Sequence, residues 1–406
     1  MNNTIKAKRV WVISEIYYPV KTSTGYYMTE IAEHLALKGL DVHVICTGST
    51  YNVGEVTSKL PENEICNGVS IHRGFVGDID KNNFIKRVLR LFLSSYKLFF
   101  RLLSLARSGD DLLVVTNPAF LILMMPYVKW RKKINYSIIV HDIFPENLVA
   151  INKISANSIL YKCLKIIFDK AYAKARLCIS IGRDMSDVLA TKIGTTERVT
   201  LIPIWAENQI VHSLDKQETN LVKQLNLEGK FVFEFAGNLG HAQGIENLLE
   251  SIALLDNPNI HFLFIGGGAK YNTIADFAKN RPNISLIGFM DRSLQNDFLN
   301  ACDIGIVTLA DGMYGLGVPS KSYNIMAAGK PILMIGDSNS EIALCVGEYQ
   351  LGWVVEPGNP KVLKEALESI YEHRDALSSI KNNARCMADT LFAKEFILDK
   401  YYQLFC

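Results

Sequence analysis

The feature that most constrains this 406-residue chain is an alternation of apolar strands and helices that occurs twice along its length. Short runs rich in β-branched residues, beginning with Arg9–Ser14, are separated by helical segments, which is the pattern of βαβ units in a parallel sheet. The polar segment 208–230, which reads as a linker and a variable edge, interrupts this pattern, and it starts again at Phe231–Ala236. A chain of this length exceeds what one hydrophobic core commonly serves. The sequence therefore predicts two Rossmann-like, doubly wound α/β domains that face each other across a cleft.

The predicted elements place strands in both halves and helices at the C-terminal end. In the first half the predicted strands are Arg9–Ser14, Asp41–Cys46, Val69–His72, Leu112–Thr116, Tyr136–Val140, Leu177–Ser180 and Val199–Ile202. In the second half they are Phe231–Ala236, Ile260–Ile265, Ile284–Ile287, Ile304–Thr308 and Pro331–Ile335. We expect an N-terminal domain over residues 1–207 and a second domain over 208–388. A C-terminal helix at 389–406 is expected to cross back onto the first domain.

Charge, cysteine content and hydropathy exclude several classes of protein. The formal net charge of +2 gives no indication of a nucleic-acid partner. The eight cysteines are scattered without C-x-x-C pairs, so neither a zinc site nor a disulfide framework is predicted. The basic N-terminal segment leads directly into a strand rather than into the apolar region of a signal peptide, and no stretch has the uninterrupted length of a transmembrane helix. We therefore predict a cytoplasmic protein.

Polar residues follow two strands of the first half, at the sheet edge that lines the predicted cleft. Thr24 and Gly25 lie where a loop enters a helix, and the free N–H groups of such a helix start favour an anion. An ordinary turn is the alternative interpretation. His141 and Asp142 directly follow a predicted apolar strand. A histidine there suits proton transfer or hydrogen bonding near neutral pH, and a hydrogen-bonded strand end is the alternative.

Three glycine-rich loops occupy the corresponding edge of the second half. They are Ala236–Gly244, Ile265–Ala269 and Asp311–Lys321. Glycines between a strand and a helix let an anionic ligand approach the backbone. Lys321 follows Pro319 and Ser320 at a predicted helix start, where its charge suits a phosphate, although a solvated lysine is the simpler alternative. A phosphate-bearing ligand in the cleft is the interpretation we favour.

Together these motifs resemble the retaining GT-B glycosyltransferases of family 4, in particular enzymes that build bacterial O-antigen and capsule repeats, such as N-acetyl-L-fucosaminyltransferases. The resemblance covers nearly the whole chain. Its marks are Tyr17-Tyr18-Pro19, His141-Asp142, Gly237–Gly244 and the segment Pro319–Pro331. The family implies a UDP-sugar donor held mainly by the C-terminal domain and an acceptor held mainly by the N-terminal domain.

The resemblance also implies roles for individual residues. His141 and Asp142 are expected to lie over the transferred sugar and to act in catalysis, and Thr24 and Gly25 to face the acceptor or a phosphate. Backbone groups of residues 288–294 are expected to hold the uracil. The donor-binding residues it implies are Gly237, Asn238, Gln243, Gly267, Phe289, Met290, Leu294, Gly317, Val318, Pro319, Ser320, Lys321 and Asn324.

Two positions depart from the family pattern. Many members carry a Lys or Arg pair after the first strand of the second domain, where this chain has His241 and Gln243. Many also carry a Glu-x7-Glu signature whose second Glu binds the ribose hydroxyls, and Asn324 stands at that position here. We expect Lys321 to supply part of the missing positive charge.

The segment Phe84–Arg107 has the pattern of an amphipathic helix that lies on an anionic bilayer. The basic residues of its polar stripe are Lys86, Arg87, Arg90, Lys97 and Arg101. A domain helix with its apolar face in the core is the alternative. A second apolar helix, Pro118–Trp130, ends in a basic cluster typical of an interfacial anchor. We therefore predict peripheral binding to the inner face of the cytoplasmic membrane and a lipid-linked acceptor.

The predicted reaction moves a sugar from UDP to a polyprenyl-diphosphate-linked saccharide in the synthesis of O-antigen, as part of lipopolysaccharide, or of capsule. N-acetyl-L-fucosamine and other N-acetyl amino sugars are the candidate groups. Because positive protein groups can stabilise the leaving diphosphate, we predict a reaction without metal or organic cofactor. Two alternatives stay open on the same fold. One is a non-hydrolysing UDP-sugar 2-epimerase, and the other is a non-catalytic membrane scaffold.

Overall fold

The computed structural model describes residues 8–20, 22–48, 60–74 and 84–406, with the backbone alone for residues 84–87. Its strands form two sheets. The strands of the first are β1 (Arg9–Ile13), β2 (Asp41–Thr47), β3 (Asn63–Cys66), β4 (Val69–Gly74), β5 (Asp111–Val115), β6 (Asn135–Ile139), β7 (Leu177–Ser180) and β8 (Val199–Leu201). Their order is β3-β4-β2-β1-β5-β6-β7-β8, and all described neighbours are parallel apart from β3 and β4.

Helices cover the first sheet on both faces. They are α1 (Ser23–Leu37), α2 (Phe84–Leu105), α3 (Phe120–Lys132), α4 (Glu146–Ala150), α5 (Ile159–Ala173) and α6 (Arg183–Ile193). Because both faces are covered, the central strands are continuous apolar runs, and Val10–Ile13 and Leu112–Val115 are fully buried. The helices α2, α3 and α5 pack side by side in that order.

The second sheet consists of β9 (Phe231–Ala236), β10 (Ile260–Ile265), β11 (Ile284–Ile287), β12 (Ile304–Thr308), β13 (Ile332–Ile335) and β14 (Gly352–Val355). It is parallel in the order β11-β10-β9-β12-β13-β14. Its helices are α7 (Asn220–Gln224), α8 (Ile245–Ala253), α9 (Tyr271–Ala278), α10 (Gln295–Asn300), α11 (Lys321–Ala327), α12 (Glu341–Glu348), α13 (Pro360–Glu372) and α14 (Ser378–Asp389).

The last helix, α15 (Lys394–Gln403), returns to the first half and packs against α1. The Lys394 ammonium lies 2.6 Å from the Glu30 carboxylate, and Asp399 lies 2.9 Å from the ring of His34. The predicted crossing of the C-terminal helix and the two doubly wound halves are therefore confirmed. The domain limits at residues 207 and 388 stay predictions.

Three features of the fold differ from the sequence expectation. The strands β3 and β14 were not predicted, because each has four residues and lies at a sheet edge, where an apolar run is not required. The segment 208–230, expected as a linker and a variable edge, contains α7. Leu221 and Val222 of α7 pack with Val232 and Leu263 of the second sheet, so part of this segment belongs to a core.

The prediction that a basic stripe of α2 faces the membrane is wrong for one of its residues, Arg90. Arg90 is 8% exposed, and its guanidinium lies 2.5 Å from the buried Glu15 carboxylate. Burial of this pair turns the side of α2 that carries Arg90 toward the sheet, and Phe92 and Tyr96 are exposed instead. Arg90 therefore does not face a bilayer. Lys97 and Arg101 stay predictions, and the side chains of Lys86 and Arg87 lie outside the described residues.

Candidate functional site

The two sheets meet at their carboxyl edges, where loops of both halves are in contact. The Ile143 N–H, after β6, donates to the Leu316 carbonyl at 3.4 Å, and the Gly315 N–H donates to Asp184 at 3.2 Å. Nearby, Arg183 at the start of α6 pairs with Glu341 of α12 at 2.9 Å. The loop 311–320 of the second half is thus held against the end of β6, which makes this edge the centre of the candidate site.

The predicted catalytic residues lie at this contact. The backbone N–H groups of His141 and Asp142 both face the hydroxyl oxygen of Thr116, at 3.2 and 3.4 Å. Gly317 lies directly opposite, since a Cβ added there would be 3.6 Å from the His141 carbonyl and 3.7 Å from the Asp142 carboxylate. The structure therefore brings Gly317 together with His141 and Asp142.

The surroundings of this pair change how both side chains titrate. His141 is half-buried and Asp142 opens into the cleft, yet the protein mass around both reduces their solvation. Burial lowers the pKa of His141 to about 4 and raises the pKa of Asp142 to about 6. Near pH 7 the imidazole is consequently neutral and can donate one hydrogen bond and accept another, while the carboxylate is ionised.

The glycine loops after β9 and β10 pack against each other through their backbones. Gly266 has a φ of +134°, and a Cβ there would lie 1.9 Å from the Gly237 carbonyl oxygen, so no other residue fits. A Cβ added to Gly267 would have no atom within 4 Å, and Gly267 is exposed. Gly237 and Asn238 are also exposed at this edge. The predicted residues Gly237, Asn238 and Gly267 therefore form an open backbone surface, whereas Gly266 is explained by packing.

Lys321, the first residue of α11, lies beside this surface. Its Nζ atom is 3.0 Å from the centre of the Phe235 ring and 3.7 Å from a Cβ built on Gly237. The Nζ atom is buried, and it has no hydrogen-bond partner within the described part of the chain. Burial lowers the pKa of Lys321 well below its ordinary value, and the negative charge of Glu234 opposes that shift. A buried ammonium without an acceptor is costly, and a bound anion would lower that cost.

Two of the other predicted residues of the loop before α11, Val318 and Ser320, contact the first half. Val318 packs on Gly182, because a Cβ at Gly182 would lie 2.7 Å from the Val318 side chain. Ser320 lies within hydrogen-bonding reach of the buried Tyr27 hydroxyl, whose pKa burial raises to about 12. The Pro319 carbonyl accepts from the Ser322 N–H at 3.2 Å in the first turn of α11. This loop thus joins the two halves.

Two of the remaining predicted residues have contacts within their own loops. The Gln243 amide oxygen accepts from the Gly240 N–H at 3.1 Å and closes its loop. The turn before α1 requires Gly25, because a Cβ there would lie 2.7 Å from the Val20 carbonyl. Thr24, next to it, is half-buried. In the 288–294 loop, Met290 packs against the cluster that contains Leu221, Val222, Val232 and Leu263. The loop also exposes Phe289 and Leu294.

Asn324 is buried and binds a residue that the sequence did not single out. Its side-chain oxygen accepts from the Glu207 N–H at 3.0 Å. The Glu207 carboxylate accepts from the Trp205 indole at 2.8 Å and lies 3.2 Å from the Arg292 guanidinium, which stacks on the Tyr26 ring at 3.5 Å. Glu207 and Arg292 therefore link the 288–294 loop to the first half. The contact between these two residues was not predictable from the sequence, because both are ordinary polar residues in loops that are far apart along the chain.

Within the described ranges no group of three or more His, Cys, Asp or Glu side chains could hold a metal ion. The one Asp-x-Asp arrangement of the chain, Asp78 and Asp80, lies outside those ranges. None of the described helices is long and apolar enough to span a membrane.

Comparison with known proteins identifies the family. Residues 24–205 match the family described as Glycosyltransferase Family 4, and residues 216–387 match Glycosyl transferases group 1. The chain is 32% identical to a Pseudomonas aeruginosa protein named "Probable glycosyltransferase WbjE", over 97% of this chain and 96% of that protein. It is 24% identical to the "Putative colanic acid biosynthesis glycosyl transferase WcaI" of Escherichia coli K12, over 95% and 96% of the two chains.

Among solved structures, Anabaena HepE in complex with UDP has the same fold, with a TM-score of 0.73 at 12% identity over 98% of this chain and 99% of HepE. The fold and the matches over nearly the whole length of these relatives agree with one another. This chain therefore belongs to the GT-B glycosyltransferases, among relatives of bacterial polysaccharide biosynthesis enzymes.

Proposed function

We propose that this glycosyltransferase moves a sugar from a UDP-sugar to a hydroxyl group of a polyprenyl-diphosphate-linked saccharide during the synthesis of a bacterial surface polysaccharide. N-acetyl-L-fucosamine and other N-acetyl amino sugars are the first candidates for the transferred group. The observation that carries this proposal is the buried Lys321 ammonium, which has no acceptor in the described residues and lies beside the exposed backbone of Gly237.

A nucleoside diphosphate fits this position by charge and by shape. Its phosphate oxygens would supply the acceptors that the Lys321 ammonium lacks, and the open backbone at Gly237, Asn238 and Gly267 leaves room for them. When the glycosidic bond breaks, negative charge grows on the leaving UDP. A cation at Lys321 then stabilises the transition state more than the ground state. The HepE structure with UDP supports a donor of this class for the same fold.

His141 and Asp142 are the groups that we assign to the reacting sugar. They lie opposite Gly317 at the contact between the two halves, where a sugar joined to the diphosphate would meet an acceptor. The neutral imidazole of His141 can hydrogen-bond a sugar hydroxyl, and the Asp142 carboxylate can stabilise positive charge that develops at the anomeric carbon.

A lipid-linked acceptor is supported by the exposed surface of α2, α3 and α5. Large apolar side chains are exposed there, which we call the apolar face: Val88, Leu89, Phe92, Tyr96, Phe100, Tyr127, Trp130, Ile159, Leu160, Ile166 and Ile167. The described sequences of these helices contain a single acidic residue, Asp169, which pairs with Lys165 at 2.9 Å. Apolar groups among basic ones fit the surface of an anionic bilayer.

The direct test is release of UDP by the purified protein from a panel of UDP-sugars, with and without a polyprenyl-diphosphate-linked saccharide in detergent. We expect release to require one donor and the lipid acceptor together. Binding of UDP without acceptor-dependent release from any donor would contradict the proposal. That result would favour the alternative of a non-catalytic scaffold. Equilibration of a donor with its 2-epimer would instead establish the epimerase.

We expect the rate to depend on the ionisation of Asp142. Because its pKa is about 6, kcat/KM should rise with pH up to that value and then level off. Asp142→Asn should remove this rise and lower the plateau about 100-fold, since loss of one group that stabilises transition-state charge costs about that much. His141, with a pKa of about 4, should add no further dependence between pH 5 and 8. Transfer rates at fixed acceptor concentration across this range provide the measurement, and an unchanged rise in Asp142→Asn would contradict the assignment.

We expect the protein to bind vesicles of phosphatidylglycerol more tightly than vesicles of phosphatidylcholine. Ile159→Asp with Ile166→Asp should weaken binding roughly 10-fold or more, because burial of one isoleucine contributes about 1.5–3 kcal/mol. Leu37→Asp is the matched control, since Leu37 is 83% exposed but lies on α1, the helix that packs against α15. Co-sedimentation measures the effect. Equal losses in both variants would show that the apolar face has no special role.

A further inference from the structure

The 141–146 segment, which joins β6 to α4, carries the two residues that we assign to the reacting sugar. Within the described part of the chain, no hydrogen bond holds the side chain of His141 or of Asp142. The position of each side chain therefore depends on the backbone that carries it. That backbone is fixed at its first end, where the N–H groups of both residues face the Thr116 hydroxyl.

At the other end of the segment, two lysines from different helices bind the Glu146 carboxylate. The Lys192 ammonium, in the last turn of α6, lies 2.8 and 2.9 Å from its two oxygen atoms. The Lys165 ammonium of α5 lies 3.0 Å from one of them. Burial alone would raise the pKa of Glu146, but the two ammonium groups lower it below its ordinary value, so the carboxylate is ionised near pH 7. The side chain of Lys192 is 1% exposed, and a buried ion pair of this kind is costly to break.

The helices that supply these lysines make further contacts at the cleft. The first residue of α6, Arg183, pairs with Glu341 of the second half at 2.9 Å. The helix α5 packs directly on the segment, since the ring centres of Phe144 and Phe168 are 4.9 Å apart. The ion pairs of Glu146 therefore tie the 141–146 segment to the two helices that surround it, one of which also contacts the second half.

We propose that Glu146 is a positioning residue of the transfer reaction, which holds the 141–146 segment in place through its ion pairs with Lys165 and Lys192. This inference rests on the proposed function, in which His141 and Asp142 act on the reacting sugar. A displacement of about 1 Å at a reacting group can slow an enzyme about 100-fold. Loss of this anchor should act on turnover rather than on donor binding, because the donor is assigned to loops of the second half.

The test compares Glu146→Gln with Asp169→Asn. Asp169 is the second carboxylate beside the same two lysines, but it belongs to α5. It lies 2.9 Å from the Lys165 ammonium and 2.5 Å from that of Lys192, the latter without the alignment of a hydrogen bond. We expect Glu146→Gln to lower kcat about 10- to 100-fold with little change in KM for the donor, and Asp169→Asn to leave both constants nearly unchanged. Equal losses of kcat in the two variants would show a structural role of the network and overturn the inference, as would an unchanged kcat in Glu146→Gln.

Hydrogen exchange gives a readout that does not depend on activity. The backbone amides of residues 141–143 should exchange about 10-fold faster in Glu146→Gln than in the wild type or in Asp169→Asn, because the segment opens locally without its anchor. Unchanged exchange there would overturn the inference. If Glu146→Gln does not fold, Lys165→Met takes its place, since Lys165 is the more exposed of the two cations. Smaller changes in the same direction are then expected, and no change would overturn the inference.

The wild-type protein separates this inference from the proposed function. Absence of transfer by the wild type with any donor and acceptor would overturn the proposed function. The exchange rates would then still decide whether Glu146 holds the 141–146 segment.

Discussion

Lys321→Ala is expected to lower kcat/KM for the sugar donor about 100- to 1,000-fold, the usual cost of removing one preorganised group that stabilises transition-state charge. The loss should appear in kcat as well as in KM, because the charge on the leaving diphosphate grows as the glycosidic bond breaks. Initial rates of UDP release at saturating acceptor measure both constants.

The controls for this prediction come from the same chain. Lys361→Ala removes an exposed lysine from the first turn of α13 and should leave transfer unchanged. Lys321→Arg keeps the charge and should retain more activity than Lys321→Ala. Since the Lys321 ammonium is buried without an acceptor, its removal should not lower the thermal stability. A large fall in the melting temperature together with the activity would show that Lys321 is a structural residue instead.

Arg90→Ala is expected to destabilise the protein by about 3 kcal/mol, because it leaves the buried Glu15 carboxylate without its cation. For a domain of this size the melting temperature should fall by roughly 6–12 °C. Differential scanning calorimetry measures the change. Adding Glu15→Gln should recover part of the loss, since a neutral amide costs less to bury than an unpaired carboxylate.

The comparison variant for this prediction is Arg107→Ala, which removes an exposed arginine just after α2 and should change the stability by less than about 0.5 kcal/mol. If Arg90→Ala behaved like Arg107→Ala, the side of α2 that carries Arg90 would face solvent or a membrane. The result therefore decides between the buried pair in the structure and the basic stripe that the helical pattern predicts.

The fold was predictable from local sequence because each of its strands but two carries its own signal. Runs such as Phe231–Ala236 and Ile260–Ile265 are largely apolar on both faces, which is typical of a strand that is covered on both sides. The strand β14, which was not predicted, is half-buried at the edge of the second sheet. It forms by pairing with its neighbour β13, and its own composition does not indicate a strand. Edge strands are therefore the part of such a fold that local sequence describes least well.

The candidate site was predictable only where glycine or charge interrupts a strand-to-helix connection. The loops with Gly237 and Gly267, and Lys321 at the start of α11, lie together at one sheet edge as expected. Glu207 and Arg292 were not found, since they lie in ordinary loops 85 positions apart in the sequence.

The sequence by itself determined the two largely parallel sheets, the edge at which they meet and the glycine-rich loops there, because those features depend on periodicity and on glycine within short segments. Only the tertiary structure decided which face of α2 is buried, since Arg90 and its partner Glu15 are 75 residues apart. It alone also placed the ammonium of Lys321 over the ring of Phe235, beside Gly237. The charge state of a side chain depends on its neighbours in space, and those neighbours are set by the packing of distant elements.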